Sequence, residues 1–207
     1  NADKEELEAI LTEFSSSPCE PWRMLAITFT NKAAKEMAER VEKLVGDAVN
    51  DMGVRTFHSA CVRILRRDID RIGYSRDFNI IDTDDQKSLI KECLKELRID
   101  EKELPPRSVL SEISSAKDKL LSPHEYEMQC SGSYRDKTIA RLYALYQRKL
   151  EAANDLDFDD LIMLTVRLFR QAPDVLEFYR NKFRYILVDE YQDTNYAQFV
   201  LTKILAD

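Results

Sequence analysis

Hydrophobic residues follow two alternating patterns across residues 1–82. "MLAITF" (24–29) is a continuous apolar run of strand length, and from about Asn31 onward apolar residues recur at helical spacing. "VRTF" (54–57) repeats the strand signal before a second helix predicted over 59–72, and "FNII" (78–81) is a further possible strand. Strands that alternate with helices favour a parallel sheet covered by helices, so the sequence predicts an α/β fold.

Between residues 83 and 156 the pattern is helical throughout, with no strand signal. Helices are predicted near 84–97, 107–119, 123–130 and 134–152. Helical core patterning returns in "LDFDDLIMLTVRLF" (156–169), followed by a helix at 173–181, a strand at 184–188 and a final helix from about 195. We therefore expect a sheet domain formed by 1–82 and 157–207, interrupted by an all-helical domain at 83–156. A short acidic helix is also expected at 4–14.

The composition indicates a globular protein. The chain has 207 residues, of which 44% are hydrophobic and 33% charged, and this suits one or two domains with a sizeable core. Because no apolar run approaches the roughly 18–20 residues of a membrane span, no membrane partner is expected. The four cysteines are far apart and form no CxxC pair, which argues against a disulfide framework or metal ligation and favours a reducing cytoplasm.

Charge is distributed unevenly along the chain. The net charge of −7 by itself argues weakly against a nucleic-acid partner. Residues 1–22 carry −5, however, whereas residues 23–76 carry +4 and form the only basic region. Any phosphate backbone is therefore expected to bind within 23–76.

The segment "YILVDEYQDTN" (185–195) carries the first candidate chemistry. Its apolar run stops at two adjacent carboxylates, Asp189 and Glu190. We expect a strand buried on both faces, and ligands of parallel sheets gather at the carboxyl ends of such strands. This predicts a Walker B element, in which one carboxylate holds Mg²⁺ through its water shell and its neighbour orients or deprotonates the attacking water. The alternative is a solvated strand end, or a helix N-terminus that favours acids.

A second candidate lies in "AITFTNKAAKEMAERV" (26–41). Thr30 or Asn31 can cap the following helix, whose free N–H groups and positive end suit a DNA phosphate. Phe29 at the strand tip can stack on a base of any sequence. In the alternative interpretation, which the residues alone favour, Phe29 belongs to the core and Lys32 is merely solvated.

The third candidate, "TFHSACVRILRRDIDRIG" (56–73), is a helix with an arginine face. Its apolar residues fall on one side and the arginines on the other, namely Arg63, Arg66, Arg67 and Arg71. Such a face can follow a phosphate backbone, and we assign Arg63 to DNA; it can equally pair with Asp68, Asp70 and neighbouring acids. His58 is most simply a polar residue at a strand–helix junction, although its position also permits a hydrogen bond to phosphate.

Two further observations limit the interpretation. In "LDFDDL" (156–161), Asp157 or Asp159 would serve as an N-cap, and that role explains the acids adequately. A nucleotide-hydrolysing site of this type needs a G-x-x-x-x-G-K-[ST] loop to hold the phosphates. The four glycines, at 46, 53, 73 and 132, do not have that spacing, so this sequence contains no P-loop.

Taken together, the four segments resemble the UvrD/PcrA/Rep-like superfamily 1 DNA helicases. "LAITFTNKAAKEM" is similar to motif Ia, "TFHS…RILRR" to motif Ib and its helix, "VDEYQDTN" to motif II, and "LDFDDL" to the short motif that follows the helical insertion. The resemblance covers roughly 22–207 and implies a partial RecA-like motor domain, 1A, interrupted by helical domain 1B.

The resemblance also implies residue roles. Asp189 would hold Mg²⁺, Glu190 would position the hydrolytic water, and Gln192 would sense the γ-phosphate and couple it to DNA. Contacts with single-stranded DNA are implied for Thr28, Phe29, Asn31, Lys32, Thr56 and His58.

Because the family's P-loop and second motor domain are missing from this sequence, we interpret the chain as a helicase fragment. The intact parent would use ATP and Mg²⁺, while this chain would bind neither tightly, would bind single-stranded DNA weakly, and would be an inactive monomer. The other hypotheses are a natural non-catalytic module that binds DNA or a protein partner, and the helicase part of a RecB/AddA-like helicase–nuclease. In the weakest alternative, the helical domain is simply an interaction scaffold.

Overall fold

The computed structural model describes residues 19–130 and 132–206, so the acidic helix predicted at 4–14 lies outside it. The helices are α1 Asn31–Val45, α2 Phe57–Asp68, α3 Thr83–Glu96, α4 Pro106–Asp118, α5 Pro123–Gln129, α6 Tyr134–Ala153, α7 Phe158–Gln171, α8 Pro173–Lys182 and α9 Tyr196–Ala206. The strands are β1 Met24–Thr28, β2 Gly53–Thr56, β3 Asn79–Ile80, β4 Asp155–Leu156 and β5 Tyr185–Val188. Short 3₁₀ turns occupy Pro21–Arg23, Gly46–Asp51, Ile69–Ile72 and Tyr191–Asp193.

The described residues divide into two compact units. The sheet unit contains the residues up to Thr56 and Tyr179–Asp189, and the helical unit contains Phe57–Phe178 and the residues from Glu190 onward. The predicted α/β fold class, with its parallel sheet, flanking helices and helical insertion, is confirmed. The division into 1–82 with 157–207 and 83–156 stays a prediction.

The sheet unit is built on three parallel strands in the order β2-β1-β5. The central strand, β1, is buried at Leu25, Ala26 and Ile27, as its continuous apolar pattern predicts. The expectation that β5 is buried on both faces is wrong, because Tyr185 is 45% and Leu187 56% exposed. β5 is the outer strand of the sheet formed by the described residues, and its side chains alternate between a partly covered and an uncovered face.

A glycine allows β1 and β2 to pair closely. Gly53 lies opposite Leu25 in the register, and a Cβ at Gly53 would approach the Met24 carbonyl oxygen to 3.1 Å. A larger residue at the first position of β2 would require the facing backbone to give way by a few tenths of an ångström, whereas glycine fits without a shift. Helix α1 packs on both strands.

The helical unit has its main core among α3, α4 and α6. Side chains from these helices form one buried cluster, whose larger members include Ile90, Leu94, Ile113, Leu142, Tyr143 and Tyr146. Three of its helices begin with capping boxes, at Asp82–Asp85, Ser122–Glu125 and Asp157–Asp160, which explains why α3, α5 and α7 start where they do. None of the helices among the described residues is long and apolar enough to cross a membrane.

One short strand in this unit was not predicted. β4 pairs in parallel with β3, joining Asn79 to Asp155 and Ile80 to Leu156. Each strand has only two residues. So short a segment contains no repeat of the two-residue period that identifies a strand in sequence.

Candidate functional site

The carboxyl ends of the three parallel strands bring several predicted site residues to one edge of the sheet unit. Thr28 and Thr56 are partners in the β1–β2 register, and Ile27 is the partner of Val188 in β5. The backbone N–H of Asp189 donates to the Ile27 carbonyl oxygen at 2.9 Å, which fixes the residue just past β5. Ligands of parallel sheets bind at this kind of edge.

The two threonines at this edge are buried. Thr28 has no exposed surface, and its hydroxyl donates to the Thr30 carbonyl oxygen at 3.2 Å. Thr56 is 5% exposed. Both side chains therefore shape the strand ends in this conformation, while the half-buried Phe29 and the residues after it form the accessible part of the segment.

The N-terminus of α1 has the features of an anion site. Thr30 is the N-cap, and its side chain accepts the Ala33 N–H at 3.1 Å, which settles the choice between Thr30 and Asn31. The first turn contains no acidic residue, so the helix dipole is not neutralised there. Asn31 and Lys32 are exposed, and the Lys32 ammonium is 3.9 Å from Glu36, a surface pair too weak to hold it.

The acidic pair after β5 lies on a strained turn. Glu190 has a left-handed backbone with φ of +49°, a conformation that non-glycine residues rarely adopt. Both Asp189 and Glu190 are exposed. Gln192, in the 3₁₀ turn that follows, donates its amide N–H to the Glu190 carboxylate. Gln192 and Glu190 thus lie within hydrogen-bond distance of each other.

These two carboxylates suit a Mg²⁺ ion that binds together with a nucleotide. They are too few to hold a metal ion permanently by themselves. The described residues contain no cluster of three or more histidine, cysteine or acidic side chains able to hold a metal ion. Mg²⁺ in phosphoryl-transfer sites is usually bound by one or two carboxylates together with waters and substrate phosphates. An exposed Asp189 at a strand end meets that requirement.

His58, in the first turn of α2, packs against an aromatic residue that the sequence interpretation overlooked. The His58 ring meets the Phe158 ring edge to face, with centroids 5.7 Å apart. Burial lowers the pKa of His58 and outweighs the opposing field of Asp159, so the imidazole is neutral at pH 7. Phe158 is 48% exposed, which leaves its ring available to a base. The only signal in the sequence was an aromatic residue between acids whose capping role already explained the motif.

Most arginines on the exposed face of α2 contact other residues of the helical unit. Arg66 stacks on Phe78 at 3.8 Å, Arg67 stacks on Phe178 at 3.6 Å, and Arg71 makes a bidentate pair with Asp174. Arg71 and Arg67 pair with acids, as in the pairing alternative, with Arg67 3.6 Å from Asp68. Arg66 instead donates to the Arg76 carbonyl oxygen at 2.8 Å. Arg63, which we assigned to DNA, is exposed and has no hydrogen bond or ion pair among the described residues.

A buried ion cluster holds the start of α7. The Lys117 ammonium lies 2.7 Å from Asp157 and 2.8 Å from Asp160, and all three side chains are at most 3% exposed. Tyr146 donates its hydroxyl to Asp157 at 2.9 Å. Asp157 is the N-cap, as one of the two predicted candidates, but the partner lysine was not predicted. One lysine and two carboxylates leave the cluster one negative charge in excess, counting each as ionised.

This excess charge predicts an unusual pH dependence of stability. Burial raises the pKa of Asp160 from 3.8 to about 6, against the attraction of Lys117. Between these values the folded chain binds a proton that the unfolded chain does not, so stability falls as pH rises through this window. We expect the free energy of unfolding to be roughly 1 kcal/mol larger at pH 5 than at pH 7 from this group.

The measurement is urea unfolding between pH 5 and 7.5 for the wild type and Asp160→Asn. The Asp160→Asn variant should lose this contribution, whereas Asp193→Asn, at an exposed position, should keep it. Parallel pH curves for the wild type and Asp160→Asn would contradict the assignment.

The end of the acidic motif is tied to helix α4. Asn195 donates its side-chain N–H to Asp118 at 2.6 Å, and its side-chain oxygen accepts the Gln198 N–H at 2.9 Å, at the start of α9. One residue therefore caps a helix and contacts a second helix from far along the chain. Sequence spacing gave no indication of this contact, because Asp118 and Asn195 are brought together only by tertiary packing.

Of the predicted site residues, the sheet unit contains Thr28, Phe29, Asn31, Lys32, Thr56 and Asp189. The helical unit contains His58, Arg63, Glu190 and Gln192. Asp189 and Glu190 are consecutive in the chain, and the unit boundary falls between them.

Comparison with known proteins agrees with the resemblance to the UvrD/PcrA/Rep-like helicases. The sequence profile of the UvrD/REP helicase N-terminal domain matches residues 7–207. The chain is 58% identical over 187 residues to the ATP-dependent DNA helicase PcrA of Bacillus subtilis (strain 168), an alignment that covers 90% of this chain and 25% of the relative. It is 55% identical over 186 residues to the PcrA helicase of Staphylococcus aureus (strain Mu50), with 90% and 25% coverage. The chain thus spans a quarter of the length of these relatives.

Proposed function

Because the chain belongs to the UvrD/REP helicase family through its N-terminal domain, we propose that it forms part of an ATP-dependent 3′–5′ DNA helicase acting in DNA repair or replication. The observation that carries the proposal is the edge of the parallel sheet. There an exposed acidic pair follows β5, and the capped N-terminus of α1 follows the neighbouring strand. A DNA-dependent ATPase must combine two kinds of group. It needs acids that hold the metal ion of the hydrolytic site, and it needs a helix end that binds DNA phosphate.

Each residue of the acidic motif has a separate role in this proposal. Bound Mg²⁺ and ATP would supply the phosphoryl group and the charge neutralisation that its transfer requires. Asp189 would hold the metal through a coordinated water. Glu190 would accept a proton from the attacking water, and Gln192 keeps the Glu190 carboxylate oriented through its amide hydrogen bond.

Single-stranded DNA would be bound through sequence-independent contacts. The N–H groups at the start of α1 and the Lys32 ammonium suit phosphate, and Phe29 offers a ring to a base. In the helical unit, Arg63 offers an uncommitted guanidinium, and neutral His58 can hydrogen-bond a phosphate beside the exposed ring of Phe158. These groups read no base edge, so binding would not depend on sequence.

The chain by itself would be a weak DNA-binding monomer without catalysis, acting with the remaining domains of the parent helicase. Neither ATP nor Mg²⁺ would bind it tightly, because its sequence has no P-loop. The test is steady-state ATP hydrolysis by the 207-residue chain. We expect the rate to stay at background with or without single-stranded DNA. A DNA-stimulated rate that Glu190→Gln abolishes would refute this part of the proposal.

DNA binding can be tested separately with two alanine variants. We expect Lys32→Ala and Arg63→Ala each to raise the Kd for fluorescein-labelled oligothymidylate about two- to fivefold and to reduce the salt slope by about 0.7, as the loss of one phosphate contact does. The measurement is fluorescence anisotropy over a series of salt concentrations.

The matched control is Lys43→Ala, at the far end of α1, which should bind as the wild type does. Salt-independent binding, or wild-type affinity in both test variants, would exclude these residues as phosphate contacts. Salt-independent binding would instead favour the interaction-scaffold hypothesis.

A further inference from the structure

A cavity in the helical unit is lined by none of the predicted site residues, although one of its lining residues, Asp160, also belongs to the Lys117 cluster. Its volume is about 420 Å³, within the range of small-molecule sites. Helix α6 contributes Tyr143, Gln147 and Glu151, which lie one turn apart on the same face. Helix α7 contributes a similar face, which includes Met163 and Arg167.

The inner wall holds a polar atom without a partner. Gln147 is only 8% exposed, and its amide N–H groups donate to the Asp160 carboxylate at 3.3 and 3.4 Å. Its Oε1 atom is buried and has no hydrogen-bond partner in the described part of the chain. A buried acceptor left in this state costs about 1–3 kcal/mol. Gln147 lines the cavity, and rotation about its soft terminal torsion would present Oε1 to an N–H or O–H group of a bound molecule, in exchange for the two long bonds to Asp160.

Two arginines without an ion pair lie at the exposed end of the cavity. Arg167 and Arg170 are both exposed, and in the ranges that the structure describes neither makes an ion pair or a hydrogen bond. Glu125 and Glu151 also line the cavity, and they accept hydrogen bonds from the neutral hydroxyls of Ser122 and Tyr74, the latter at 3.1 Å. Among the described residues, neither carboxylate forms an ion pair with Arg167 or Arg170. The two arginines are therefore free to bind an anion.

The wall between these ends is mainly apolar. It includes Leu120, Pro123, Met163, Leu164 and Val166. Leu120 has φ of +58°, a left-handed conformation that glycine usually supplies after a helix, so an apolar side chain is retained there at some cost in backbone strain. A molecule in the cavity would thus contact an unpaired acceptor at the inner end, apolar side chains in the middle and two arginines at the outer end.

We propose that this cavity binds a small organic acid with a flat apolar body that carries an N–H or O–H donor at the end opposite its carboxylate. The donor would reach Gln147, and the carboxylate would pair with Arg167 and Arg170. The excess negative charge of the Lys117 cluster, which borders the inner end through Asp160, favours this orientation over the reverse one. The proposal does not depend on the helicase function.

The test uses para-aminobenzoate, the simplest probe with all three features, and methyl NMR of the 207-residue chain labelled at methionine. We expect a saturable shift of the Met163 signal with Kd of about 0.1–5 mM, the range for a ligand of this size, and no shift of Met128, which is exposed on α5. Benzoate lacks the donor and aniline lacks the acid, so each should bind at least about fivefold more weakly.

Variants locate the two polar ends. The Arg167→Gln/Arg170→Gln double variant and Gln147→Met should each weaken binding of para-aminobenzoate about fivefold or more, whereas Arg141→Gln, an exposed change elsewhere on α6, should not. Circular dichroism would confirm that each variant is folded. The proposal is overturned if Met163 does not respond to millimolar probe, if the three compounds bind equally well, or if the double arginine variant binds like the wild type.

Discussion

Replacing Lys117 with methionine is expected to lower the free energy of unfolding by about 3–5 kcal/mol, the largest stability effect of any single change considered. Lys117 has no exposed side-chain surface and is the only cation within hydrogen-bond distance of Asp157 and Asp160 among the described residues. Methionine keeps the volume of the stem but leaves two buried carboxylates without compensation. The loss should be smaller at pH 5, where Asp160 can accept a proton.

Urea unfolding monitored by circular dichroism measures this effect directly. Lys119→Met, two residues along the same segment at an exposed position, is the matched control and should change stability by less than about 0.5 kcal/mol. A triple variant, Lys117→Met with Asp157→Asn and Asp160→Asn, removes all three charges and should recover much of the loss. Equal stabilities for Lys117→Met and Lys119→Met would show that the cluster is not a structural anchor.

The largest functional effect is expected from Glu190→Gln in a longer protein that joins this segment to a P-loop and a second motor domain. DNA-stimulated ATP turnover should fall by about 10²–10³-fold, since glutamine cannot accept a proton from the attacking water. Single-stranded DNA affinity should stay unchanged, because Glu190 is outside the proposed phosphate contacts. Steady-state ATPase assays and anisotropy on the same samples separate the two effects.

Two further variants make this result specific. Glu177→Gln, on the exposed surface of α8, should leave turnover unchanged. Gln192→Ala removes the hydrogen bond that orients Glu190 and should reduce turnover less than Glu190→Gln does. If Glu190→Gln retained most of the turnover, another residue would have to be the proton acceptor, and the role of the acidic motif would need to be reassigned.

The elements were predictable where a pattern repeats within one segment. Strand β1, helix α1 and helices α3 to α7 lie close to the predicted ranges because periodicity and capping residues are local signals. The position of Asp189 at the carboxyl edge of the sheet was also predictable, because an apolar run that stops at an acid marks the end of a strand. The family motifs then supplied the proposed roles.

What could not be predicted depends on contacts between distant segments. Lys117 stands in "SSAKDKL", where nothing distinguishes it from the exposed Lys119, and only the fold brings it to Asp157 and Asp160. The exposure of β5 follows from its place at the outside of the sheet, which a strand's own sequence does not encode. The unpartnered oxygen of Gln147 likewise appears only once α6 and α7 are packed.

The pairing of β1 with β5 also has a consequence for the growing chain on the ribosome. Met24 of β1 meets Tyr185 of β5, so the outer partner of β1 is synthesised about 160 residues later, which takes roughly 8–32 s at the usual rates of 5–20 residues per second. Throughout that interval β5 is not yet available to this edge of β1, and an exposed apolar strand edge is a template for aggregation. Synthesis of residues 24–185 is therefore a stage at which protection by a chaperone would limit aggregation through this edge.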